Sequence, residues 1–139
     1  MRRYNRQVRI DFTLTLPGLF SVKDIVRLAQ ETNSEVLAKV VFSFTPDIIL
    51  SPLALPRDLL NSIVDELVSD IPNGALKDVL VQLKSRPTFE EQWPDTYKQG
   101  LAQGKSRVLQ LEKIRQDTFT LDTILQSHKL IHDWYKSID

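Results

Sequence analysis

Five apolar side chains fall at every second position from Val8 to Leu16 (Val8, Ile10, Phe12, Leu14, Leu16), with Arg9, Asp11, Thr13 and Thr15 between them. Successive side chains of an extended strand point to opposite sides, so this period of two predicts a strand with one apolar and one polar face. Leu16-Pro17-Gly18 breaks the pattern. Ser21 followed by Asp24 reads as a loose capping box, and Val22, Ile25, Val26 and Ala29 repeat at helical spacing, predicting a helix over 22–31 that Thr32-Asn33-Ser34 ends. A second strand is expected from Val36 to Phe44, with Ala38, Val40, Phe42 and Phe44 toward the helices. Residues 8–44 thus have the order and length of a βαβ unit, whose strands should be parallel and whose crossover right-handed.

The period then changes. Asp47 to Pro56 contains two prolines counting its last residue, which favour extended or turning backbone before them. From Pro56 onward Leu59, Leu60, Ile63, Val64, Leu67 and Val68 make the apolar stripe of a helix expected to cover the sheet. Leu76, Val79, Leu80 and Leu83 predict a shorter helix over 74–84 capped by Asn73. A polar helix should follow from Pro94 to about Gln116, weakened by Gly100 and Gly104, and a last one from Leu121 to Lys136. The fold class expected is therefore α/β, a βαβα portion over 1–70 followed by a helical extension over 71–139.

Composition adds mostly exclusions. A chain of 139 residues, 42% apolar and 26% charged, has the make-up of one soluble globular unit. At that length a fold buries roughly 70% of the surface of its extended chain, so a core needs no covalent staples. There is no Cys, which removes disulfides, thiolate metal sites and a cysteine nucleophile. Eighteen basic residues balance eighteen acidic ones, and nucleic-acid binders usually carry a basic excess. The basic start (Arg2, Arg3, Arg6, Arg9) precedes no apolar stretch of an export signal, and no run approaches a membrane span, so a cytoplasmic address with no nucleic-acid or membrane partner is the expectation.

Candidate chemistry is sparse. His128 and His132 stand four apart and would share a helix face as two metal ligands do, but no motif places a third. No Gly-x-Ser-x-Gly elbow, phosphate loop or dinucleotide fingerprint occurs. The acid pairs Asp65-Glu66 and Glu90-Glu91 read as solvated helix exteriors, and Trp93, Trp134 and Tyr135 as core edges. The polar side of the strands is more informative, because a parallel strand covered on both faces should be apolar on both. Arg9, Asp11, Thr13 and Thr15, joined by Lys39, Ser43 and Thr45, form either a wet face or the wall of a polar cavity.

The strand ending Thr13-Leu14-Thr15-Leu16-Pro17-Gly18, the helix behind Ser21, the second strand leading to Pro46, then Pro52-Leu53-Ala54-Leu55-Pro56 and the late Leu111-Glu112-Lys113-Ile114-Arg115-Gln116-Asp117-Thr118-Phe119 together resemble the C-terminal half of radical S-adenosylmethionine proteins of the twitch-domain type. The resemblance implies the closing part of a partial βα-barrel. Arg9, Asp11, Thr13, Thr15, Lys39 and Ser43 would then line a lumen holding S-adenosylmethionine and substrate. It also implies a 4Fe-4S cluster on a cysteine loop of the parent protein, which this chain does not contain. The chain departs from the family's pattern in having Glu112 for a shorter acid, Gln116 for Gly, and no Phe-Pro-Glu-Leu after Phe119. On this reading the chain binds no cofactor alone, does not catalyse alone, and needs a missing N-terminal half or a complementary chain, or self-associates. The alternatives are a protein-interaction module without catalytic activity, whose helices after Pro87 dock a partner while the polar sheet face is merely wet, and a small enzyme using Asp11 with Lys39 as an acid–base pair.

Overall fold

A computed structural model describes residues 9–40, 48–116 and 120–138. Strand β1 (Arg9–Leu14) pairs with β2 (Glu35–Val40) in parallel, joined by a 3₁₀ turn (Pro17–Ser21) and helix α1 (Val22–Thr32). The alternation that predicts β1 is visible in its burial: Ile10 and Phe12 are half-buried and Leu14 is fully buried, while Arg9, Asp11 and Thr13 are exposed. The expected βαβ order and parallel pairing are thus present, in an α/β chain that is mostly helical. α1 stops where Asn33 takes a left-handed conformation and its N–H and that of Ser34 close onto Gln30 and Ala29 carbonyls, a C-cap that asparagine tolerates better than most residues.

The stretch expected to be extended or turning before Pro56 forms two 3₁₀ turns, Ile48–Leu50 and Pro52–Ala54, and supplies the centre of the core. Ile49, Ser51, Leu53, Ala54 and Leu55 are all buried. Burial of so much backbone requires partners for its polar groups. Ser51 Oγ accepts from the Leu53 N–H, Leu16 N–H donates to the Leu50 carbonyl at 2.6 Å, and the Tyr97 hydroxyl donates to the Ala54 carbonyl.

Helices α2 (Arg57–Val68) and α3 (Ala75–Leu83) follow, with Gly74 rather than Asn73 at the N-cap of α3. α3 packs beside β2. A short α4 (Phe89–Gln92), absent from the sequence expectation, is set by a capping box in which Thr88 Oγ1 accepts from Glu91 N–H and Glu91 accepts from Thr88 N–H. α5 (Tyr97–Arg115) begins three residues after Pro94 and ends at Gln116, again left-handed. The single last helix expected from Leu121 to Lys136 is two: α6 (Leu121–Leu125) and α7 (Lys129–Lys136), separated because His128 Nδ1 caps the Ile131 N–H. One hydrophobic core runs from Leu14 of β1 through α2, α3 and α5 to Tyr135 of α7.

Candidate functional site

The strand register decides which polar side chains meet. Arg9 lies opposite Glu35, Asp11 opposite Leu37 and Thr13 opposite Lys39, and residues opposed in a pair point to the same side. Arg9, Asp11 and Thr13 of β1 and Glu35 and Lys39 of β2 therefore share one face, and all five are exposed. Arg9 Nε stands 3.5 Å from Asp11 Oδ1, with their side chains 57% and 74% exposed. An ion pair this wet is worth between nothing and about 1 kcal/mol, so it orders the face without fixing it. Asp11 is engaged by Arg9 while the register sets Lys39 against Thr13, an arrangement that gives an Asp11–Lys39 acid–base couple no support.

Thr15 lies past the end of β1 and has left this face. Its Oγ1 accepts from the Gly18 N–H at 2.9 Å, holding the Leu16-Pro17-Gly18 turn. A Cβ on residue 18 would sit 3.0 Å from that same oxygen, so a larger residue there would press on the Thr15 side chain. Ser43, with Thr45, lies outside the described residues. Of the candidate set, the structure brings Arg9, Asp11, Thr13 and Lys39 together and sets Thr15 apart in the turn.

Ligands of α/β sheets gather at the carboxyl ends of strands. There Thr15, Pro17, Gly18 and Phe20 face Thr123 and Ser127 across a groove of about 460 Å³. The groove's hydroxyls are engaged locally: Thr123 Oγ1 lies 2.9 Å from Thr120 Oγ1, and Ser127 Oγ donates to the Ile124 carbonyl. Among the described residues no titratable side chain lines it. A further groove of about 400 Å³, between α1 and the start of α3, opens beside Glu35 at the amino end of β2, where α/β sheets do not ordinarily bind.

The two histidines do not form a pair. His128 Nε2 lies 3.6 Å from Glu66 Oε2, and His132 Nε2 lies 2.9 Å from Asp122 Oδ1. Each imidazole thus faces its own carboxylate, and the hydrogen bond from His132 is the main reason that Asp122 titrates below the usual carboxylate range. Among the described residues no three His, Asp or Glu side chains converge as a metal site would require.

Glu91 also departs from its expected solvated role. Both its oxygens take Arg57, Nη2 to Oε1 at 2.6 Å and Nε to Oε2 at 3.2 Å, and Arg57 also donates to the Lys84 and Arg86 carbonyls. Hydrogen bonding from Arg57, then from the Thr88 amide, holds the Glu91 carboxyl down at about 2. The arginine thereby ties the start of α2 to the end of α3 and to α4. The signal that could have located it is Thr88-x-x-Glu91, a capping box written in four residues.

No protein-family model matches the chain, and no curated protein or solved structure matches it. Within the described residues, the feature that asks for a partner is the sheet. Among those residues β1 has β2 on one side and no strand on the other.

Proposed function

We propose that this chain is a protein-interaction module, without catalytic activity of its own, whose partner completes the sheet along the outer edge of β1. The observation that carries this reading is the two-stranded parallel sheet, with its polar side exposed and β1 bordered by β2 alone among the described residues. Parallel strands are ordinarily covered on both faces, and a two-stranded sheet is marginal by itself. β2 is backed by α3, whereas half the backbone N–H and C=O groups of β1 point away from β2 with no strand among the described residues to receive them. An added strand would take its affinity from those main-chain bonds and its specificity from side chains meeting Arg9, Asp11 and Thr13.

Photocrosslinking in cells tests the reading. A photoreactive residue in place of Thr13 is expected to give a covalent adduct with another polypeptide chain, and one in place of Leu130, exposed on α7, is expected to give none. No adduct from position 13, or equal adducts from both positions, contradicts it.

The same uncovered polar face supports a second reading, the closing βα units of a radical S-adenosylmethionine protein, with Arg9, Asp11, Thr13 and Lys39 turned toward the lumen. The chain has no cysteine to hold a 4Fe-4S cluster, so a missing N-terminal half or a complementary chain would carry it. Saturable binding of S-adenosylmethionine by the chain assembled with its cluster-bearing portion, weakened by Thr13→Val, would favour this reading, and an absence of binding by that assembly would remove it.

A further inference from the structure

Resting on the interaction-module reading, we propose that the strand completing β1 is β1 of a second copy of this chain. The two strands would run antiparallel about a two-fold axis through Ile10, making a four-stranded sheet.

The argument starts from symmetry. A two-fold axis perpendicular to the sheet reverses the strand direction and keeps each face on its own side, so the apolar side of Ile10, Phe12 and Leu14 stays continuous across the junction. A parallel junction of the same two edges would turn Arg9 and Asp11 onto the apolar side of the neighbour. Burial therefore selects the antiparallel form.

Charge then selects the register. Only shifts of two residues along the partner keep polar opposite polar, because a slip by one exchanges the faces. With Ile10 opposite Ile10 of the other copy, Arg9 faces the other copy's Asp11, and by symmetry Asp11 faces the other copy's Arg9. Moving the axis to residue 9 puts Arg9 against Arg9, and moving it to residue 11 puts Asp11 against Asp11. Opposed like charges are unfavourable and opposed unlike charges are favourable. Edge strands often carry charges of one sign, which repel another copy. β1 instead carries one of each sign two positions apart, an arrangement that repels its copy in the neighbouring registers and accepts it in one. The 3.5 Å contact within the strand shows that both groups are available on the same face, and their exposure means that re-pairing costs little desolvation.

Analytical ultracentrifugation of the purified full chain, from micromolar to millimolar concentration at low salt, tests the proposal. A reversible monomer–dimer equilibrium is expected. Arg9→Asp and Asp11→Arg should each weaken it about tenfold, because one reversal opposes like charges at two symmetric places. The double variant Arg9→Asp/Asp11→Arg should restore it to roughly the parent value, since the opposed pairs are complementary again. Both side chains are exposed and outside the core, so the variants should fold, and circular dichroism verifies it. A monomer at every concentration, or a dimer indifferent to single reversal, overturns the proposal. If a monomer in the centrifuge accompanies an adduct of position 13 with a different polypeptide, the second copy is excluded while the module reading stands; a monomer with no adduct overturns both.

Discussion

Tyr97 and Tyr135 carry the same phenol into one core and meet different surroundings. The Tyr97 hydroxyl donates to the carbonyl of buried Ala54, whereas the Tyr135 hydroxyl is buried without a hydrogen-bond partner among the described residues. Burial, with the charges of Glu112 and Asp122, pushes the Tyr135 phenol up to about 12. Removing one member of a buried pair leaves the other unsatisfied, so Tyr97→Phe is expected to cost about 1–2 kcal/mol in chemical denaturation. Tyr135→Phe removes an unpartnered group and should be neutral or stabilising by up to about 1 kcal/mol. Equal losses in the two variants would contradict this division. Glu91 gives a second test at this scale. Its carboxyl sits at about 2 rather than 4.5, so its contribution is complete above the unfolded value and is lost as pH falls from about 4.5 toward 2. The side chain is 44% exposed, which reduces the effect to about 1 kcal/mol. Glu91→Gln should lose that stability at neutral pH and show a correspondingly shallower acid transition, both measurable by thermal melting across pH.

Helices in this chain are ended more by individual caps than by loss of pattern. Asn33 and Gln116 both hold positive φ, at 53° and 54°, but only asparagine is suited to it. Gln116→Gly is therefore expected to stabilise the end of α5 by about 0.5–1 kcal/mol, read as a raised denaturation midpoint; a loss would mean that the Gln116 side chain contributes more than its backbone strain costs. The elements legible in the sequence were those with a strong local period: the alternation of β1 and the stripes of α1, α2 and α3. The break between α6 and α7 was hidden because Leu121, Ile124, Leu125, Ile131 and Tyr135 continue one helical stripe across it. The interruption depends instead on His128 capping Ile131. The proline-rich stretch before α2 has no period at all. Its two 3₁₀ turns and deep burial are set by distant partners, Leu16 and Tyr97, which no local pattern connects to it.

At the scale of the molecule, the parallel βαβ order and the shared polar face of Arg9, Asp11, Thr13 and Lys39 follow from alternation and right spacing, and so were readable. That Thr15 belongs to the turn was not, since its place depends on the Gly18 amide reaching back to it. Nor could the sequence show which strand edge the described residues leave open, because a neighbour's absence leaves no mark in periodicity. The open edge is where function is assigned. Amide hydrogen exchange resolved residue by residue over Arg9–Leu14 tests that assignment most directly. In dilute monomer, protection should alternate along β1, with amides toward β2 slow and the others fast, and it should become uniform when the chain is assembled with its partner strand. Uniformly slow exchange along β1 in the dilute monomer would show that the edge is already satisfied, and would contradict the proposed function.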